Sequence, residues 1–169
     1  MPRFLGHIER FLDSSGLLNL IVLLLLAIMF FSIFKGAGIG LLFLIIVPFQ
    51  YKLWKSFMEG SKKAYTAQIV IIYVALVTIL YDAIQLAIYG FYANIVYLSW
   101  VSLPLTFLGV APGGILWLIH FAMIYIDPYL ALKYIVYQYF AYVVIVAVYA
   151  VLISYYVWCK LREKCERPD

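Results

Sequence analysis

The chain is expected to fold as an all-α integral membrane protein, a polytopic bundle of transmembrane helices, and three observations predict it. Hydrophobic residues make up 67% of its 169 positions and charged residues 12%, with a mean hydropathy of +1.04. A soluble domain is about half apolar and about a quarter charged. The apolar residues also fall in runs long enough to cross a hydrocarbon core, which takes about 20 helical residues. Finally, ten of the twelve basic residues lie in three short clusters beside those runs. That is the layout of topology signals, so the net charge of +4 is not read as a nucleic-acid surface. The expected organisation is an N-terminal amphipathic interfacial segment over residues 1–16, a transmembrane helical domain over 17–160, and a short cytoplasmic tail over 161–169.

Residues 2–15 place Phe4, Ile8, Phe11 and Leu12 on one helical face, with Arg3, Glu9, Arg10 and Asp13 away from it. Such a helix lies in the plane of the interface ahead of the first span, and His7 within it reads as a surface histidine. Leu17 to Phe34 has only Asn19 and Ser32 as polar residues. It exceeds the roughly 7–15 apolar residues of a signal peptide, and no clear small-x-small cleavage site follows, so it reads as a retained first span. Lys35 and Gly36 turn the chain into the second span, Ala37 to Trp54, with Pro48 near its far end. Gly36 and Gly40 suit close helix packing. Lys52, Lys55, Lys62 and Lys63, opposed by Glu59 alone, mark the next loop as cytoplasmic, and Ser61 is placed to cap the helix that follows.

That third span, Ala64 to Tyr92, carries Gln68, Ala75, Asp82 and Tyr89 at seven-residue intervals, with Thr78 and Gln85 flanking Asp82. On a helix these share one stripe, and a stripe of this kind turns toward protein and away from lipid. Residues 95–126 are broken by Pro104 and by Ala111-Pro112-Gly113-Gly114. The helical pieces Ile95–Val110 and Ile115–Ile126 would reach only about 24 and 18 Å. They form two thin spans or a re-entrant pair. Asp127-Pro128 starts the last helix, with an acid at the N-cap and proline at the first helical position. This helix runs to about Lys160 and bears Tyr142, Tyr149 and Tyr156 as a packing seam. The architecture is therefore four spans plus a broken or re-entrant hairpin, or six spans. Either count puts both termini in the cytoplasm of a cell, whereas a single kinked crossing would strand the basic tail outside.

Asp82 is the leading candidate for chemistry, because a carboxylate within a membrane costs about 2.5–3.5 kcal/mol on insertion scales and needs a partner or a pathway. It is expected either to pair with Lys133 or neighbouring tyrosines, or to relay protons or cations with Thr78 and Gln85 supplying oxygens. His120, amid Trp117, Phe121 and Met123, reads as a packing histidine or as part of a proton, quinone or haem site shared with a partner subunit. Cys159 is a candidate for lipid modification. Two histidines and two cysteines provide no metal set, and no cofactor is expected on this chain alone. No serine–histidine–acid set, paired carboxylates, H-E-x-x-H or phosphate loop appears. The expectation is thus a non-catalytic accessory subunit of a larger membrane complex, such as a respiratory or other electron-transfer assembly, with other integral membrane subunits as its partners. The rival is a small oligomeric channel or proton- or cation-coupled transporter built on Asp82 and residues 95–126.

Overall fold

The structure is a computed structural model that describes residues 2–32, 37–89, 108, 110 and 113–166. These form α1 (Pro2–Ser32), α2 (Ala37–Met58), α3 (Lys62–Tyr89), α4 (Gly113–Ile126) and α5 (Pro128–Glu166), with no strand among the described residues. Four of the five, all but α4, contain a stretch long and apolar enough to cross a membrane. The 39 residues of α5 reach about 58 Å, well beyond a bilayer core of roughly 30 Å.

α1 is one helix, so the N-terminal segment expected to be separate is continuous with the first span. Its buried stripe is Leu5, Ile8, Leu12, Ser15 and Asn19, while Phe4 and Phe11 stay exposed and touch the rings of Tyr155 and Tyr149. α2 returns antiparallel along α1. Phe30 meets Phe43 near one end, and Gly16 meets Gln50 and Trp54 near the other. Gly40 is buried against α1, and a Cβ there would lie 2.9 Å from the Phe31 ring and 3.1 Å from the Ala27 carbonyl. Close approach through Gly40 therefore holds, and Gly36 lies outside the described residues.

α2 ends in a Schellman motif. Ser61 N–H donates to the Ser56 carbonyl at 3.0 Å and Gly60 N–H to Phe57 at 3.1 Å, with Gly60 at φ 80°. Glycine enters that left-handed conformation without a Cβ penalty, so α3 can begin at Lys62 after a very short turn. α3 and α5 then pack antiparallel, joined by Tyr73 and Ser154 hydroxyls 3.3 Å apart. At the turn end, Phe57 stacks on Tyr156 and meets Tyr65 edge-on, while Tyr65 meets Tyr156 at 90°. Glu9 accepts an ion pair from Lys160 at 3.1 Å, and Lys160 also lies over the Tyr156 ring. The start of α1, the α2–α3 turn and the end of α5 thus share one end of the bundle, the one that holds Arg10, the four lysines and Lys160.

At the other end Asp127 caps α5 as expected: its Oδ1 accepts the backbone N–H of Tyr129 at 2.9 Å and of Leu130 at 3.0 Å. The tyrosine seam is buried along its length at Tyr142, Tyr149 and Tyr156.

The glycines supply a test. A Cβ at Gly16 would fall within the Trp54 indole, whereas one at Gly38 meets nothing within 4 Å. Gly16→Ala should destabilise the detergent-solubilised protein by about 1–3 kcal/mol through overpacking, and Gly38→Ala should be neutral or slightly stabilising. Thermal unfolding of the two variants checks this; equal melting temperatures would refute the close α1–α2 contact.

Candidate functional site

The broken segment meets the helices through a cluster of polar side chains. Gln68, on the buried stripe of α3, grips it with both ends of its amide. Its Nε2 donates to the Leu108 carbonyl, and its Oε1 accepts Val110 N–H at 3.3 Å. Ser15 of α1 donates to the Val110 carbonyl at 2.9 Å, and Tyr149 of α5 donates to the Ser15 hydroxyl at 3.3 Å. Beside this, Gln50 of α2 donates to the Gly16 carbonyl at 2.9 Å. Farther along, Gln138 donates to the Tyr142 hydroxyl, which donates to the Leu116 carbonyl at 3.1 Å. Val110 and Leu116 are themselves buried. A backbone that leaves helical geometry inside an apolar bundle exposes N–H and C=O groups that water cannot reach. Here side chains from α1 and α3 supply the partners, and Tyr149 of α5 backs Ser15.

The depth of this clasp follows from helix rise. Gln68 is five residues past Lys63, about 8 Å into the bundle, and Ser15 is about 9 Å past Glu9. Val110 is therefore held in the half nearer the basic end. α3 continues about 31 Å beyond Gln68 to Tyr89, and the chain is next described at Leu108, back at the level of Gln68. From there α4, with 14 residues, spans about 21 Å and leads to Asp127 at the opposite end.

Among the residues expected to carry chemistry, Asp82 is fully buried, on one stripe with Gln68 and Ala75. It sits about 29 Å from Lys63 along α3 and about 10 Å short of Tyr89, so it belongs to the end of the bundle away from the lysines. Tyr89, the last member of the seven-residue series, is exposed. Thr78 is half-buried, and its hydroxyl bonds back to its own helix, to Val74 at 2.9 Å and Ala75 at 3.0 Å. Gln85 is half-buried beside it. Lys133 is exposed and lies over the Tyr134 ring, 5.5 Å from its centre. Cys159 is half-buried with a free thiol. His120 lies in α4, but its side chain is outside the described residues, as are residues 95–107 of the expected broken hairpin. No group of three or more histidine, cysteine or acidic side chains suited to a metal occurs among the described residues.

Sequence reasoning did not single out Ser15, Gln50 or Gln138. All three are buried; Gln50 and Gln138 are polar side chains in largely apolar stretches, whereas Ser15 follows Asp13 and Ser14. For the two glutamines that signal was available: a lone amide in a span is costly unless it meets a partner.

An all-helical bundle with four membrane-length apolar helices is the build of a multi-pass integral membrane protein. No protein family, curated protein or solved structure matches the chain in the comparisons made.

Gln68→Leu keeps the volume but leaves a buried carbonyl and N–H without partners, which costs about 1–3 kcal/mol. Ser15→Ala should cost about 0.5–1.5 kcal/mol. Because both act on Val110, their effects should be non-additive in a double-mutant cycle. Additive losses in thermal unfolding would mean that the two do not hold the same segment.

Proposed function

We propose that this protein is a non-catalytic, multi-pass subunit of a larger membrane assembly, a helical scaffold whose outer faces receive neighbouring subunits and lipid. One observation carries the reading. The buried polar side chains of Gln68 and Ser15 are committed to holding residues 108 and 110, with Tyr149 bonded to Ser15, and Tyr142 is committed to Leu116. Polar groups spent in this way fix a shape; they are not poised on a substrate. The faces turned outward are large and apolar, with Leu42, Ile45 and Phe49 on α2 and Tyr137, Val144 and Val151 on α5 among the exposed residues. An electron-transfer complex is the assembly class we favour, with His120 the residue on this chain that could complete a quinone or haem site shared with a partner.

In this reading the basic end faces the cytoplasm of a cell membrane, in keeping with the bias of lysine and arginine toward that side. Both termini are then cytoplasmic. Of the two arrangements expected for residues 95–126, two thin spans or a re-entrant pair, the grip of Gln68 on residues 108 and 110 supports the re-entrant one.

A second reading rests on Asp82, a fully buried acid toward the outer end of the bundle, as the gate of a small proton- or cation-coupled transporter.

The native protein extracted in mild detergent should migrate with other subunits on a native gel, and an absorption spectrum of the band identifies any haem-bearing partner. A band containing this chain alone would overturn the subunit reading. Asp82→Asn then discriminates the rival. Proton or cation flux into vesicles containing the purified protein should be absent in both forms if the protein is a scaffold. Flux that the substitution abolishes establishes transport.

A further inference from the structure

At the basic end, α2 and α3 diverge around a groove of about 480 Å³ lined by Phe49, Lys52, Leu53, Ser56, Ser61, Lys63, Ala64, Ala67 and Leu108. Its composition is divided. Lys52, Lys63, Ser56 and Ser61 bring two cations and two hydroxyls. Phe49, Leu53, Ala67 and Leu108 form an apolar floor. Glu59, the acid of this loop, lies 4.0 Å from Lys55. Neither Lys52 nor Lys63 is in an ion pair among the described residues, and both are exposed.

We infer that this groove binds the phosphate headgroup of an anionic membrane lipid, with the upper part of an acyl chain on its apolar floor. The charge is complementary, because two uncompensated ammonium groups flank the groove. The hydroxyls of Ser56 and Ser61 can donate to phosphate oxygens. Lys63 and Ala64 belong to the first turn of α3, where backbone N–H groups have no intrahelical acceptor and the helix dipole favours an anion. The position is right as well: the lysines lie within a turn or two of the apolar spans, at headgroup depth, and basic pockets between transmembrane helices recognise such headgroups. A free phosphate would use the cations but leave the floor of Phe49 and Leu53 idle. A lipid uses both. The groove also touches Leu108, whose carbonyl Gln68 holds, so an occupant would bear on the clasped segment directly.

The test is lipid binding to the full-length protein in a non-ionic detergent, followed by native mass spectrometry and thermal unfolding. Phosphatidylglycerol is the probe, with phosphatidylcholine and inorganic phosphate as comparisons. Phosphatidylglycerol should bind and raise the melting temperature, and neither comparison should do so. Each lysine lost from the groove should weaken binding roughly fivefold, and the pair Lys52→Gln with Lys63→Gln roughly 25-fold. The pair Lys55→Gln with Lys62→Gln removes the same charge outside the groove lining and should retain most of the affinity. Equal losses from the two pairs would overturn the site in favour of diffuse attraction. Equal stabilisation by inorganic phosphate would overturn the lipid assignment. Ala67→Phe fills the floor without touching a charge, and undiminished lipid binding to it would also count against the proposal.

Discussion

A backbone inside an apolar bundle must have every N–H and C=O group satisfied, and in this protein the Gln68 amide is where that requirement is met. The five helices solve it by themselves, since helical geometry pairs their main-chain groups internally. Residues 108 and 110 do not lie in a helix. A carboxamide suits them because it has a donor and an acceptor at one fixed spacing, so one side chain can hold a carbonyl and an N–H two residues apart. Ser15 supplies the next donor, and Tyr149 in turn supplies a proton to Ser15. Three helices distant in sequence are thereby joined through a short piece of main chain. Losing one member would leave others buried without partners, which is why such networks are costly to break.

The remainder of the bundle arranges itself around that clasp. Glycine at 16 lets Trp54 lie on α1, and the same approach brings Gln50 to the Gly16 carbonyl. The Schellman turn at Gly60 sends α3 back immediately, which keeps Phe57 and Tyr65 near Tyr156. The ion pair of Glu9 with Lys160 closes the same end, but both side chains are partly exposed and a pair of that kind contributes at most about 1 kcal/mol. It marks the alignment of α1 and α5, and the aromatic and apolar contacts hold it. In the proposed scaffold role function is a matter of shape: a hydrogen-bonded polar interior behind broad apolar faces, with a basic amphiphilic groove where α2 meets α3.

Much of the candidate site was legible in outline. The seven-residue series on α3 identified the buried face, because helix periodicity alone puts Gln68, Ala75 and Asp82 on one side. The stripe could not reveal which member acts. Asp82 drew attention as the charged residue, yet Gln68 is the one that reaches the broken segment, a fact that depends on where residues 108–110 come to lie. Thr78, read as supplying an oxygen to a proton or cation relay alongside Asp82, bonds to its own helix, as threonine in an apolar helix often does. Lys133 was a reasonable partner for Asp82 by charge, and the structure places its ammonium over Tyr134 at the protein surface.

The sequence by itself determined that this is a helical membrane protein, where four of its long helices lie, how α5 is capped and which end is basic. Those properties follow from composition, periodicity and local capping, all of which act over a few residues. Tertiary structure alone decided that α1 runs unbroken from Pro2, because burial of Leu5, Ile8 and Leu12 beneath neighbouring helices replaces the interface those residues would otherwise seek. It alone decided the partners of Ser15, Gln50 and Gln68, because a hydrogen bond between residues 34 to 134 positions apart has no local signature. A lone polar residue in an apolar span announces that it needs a partner; only the packed bundle says which one.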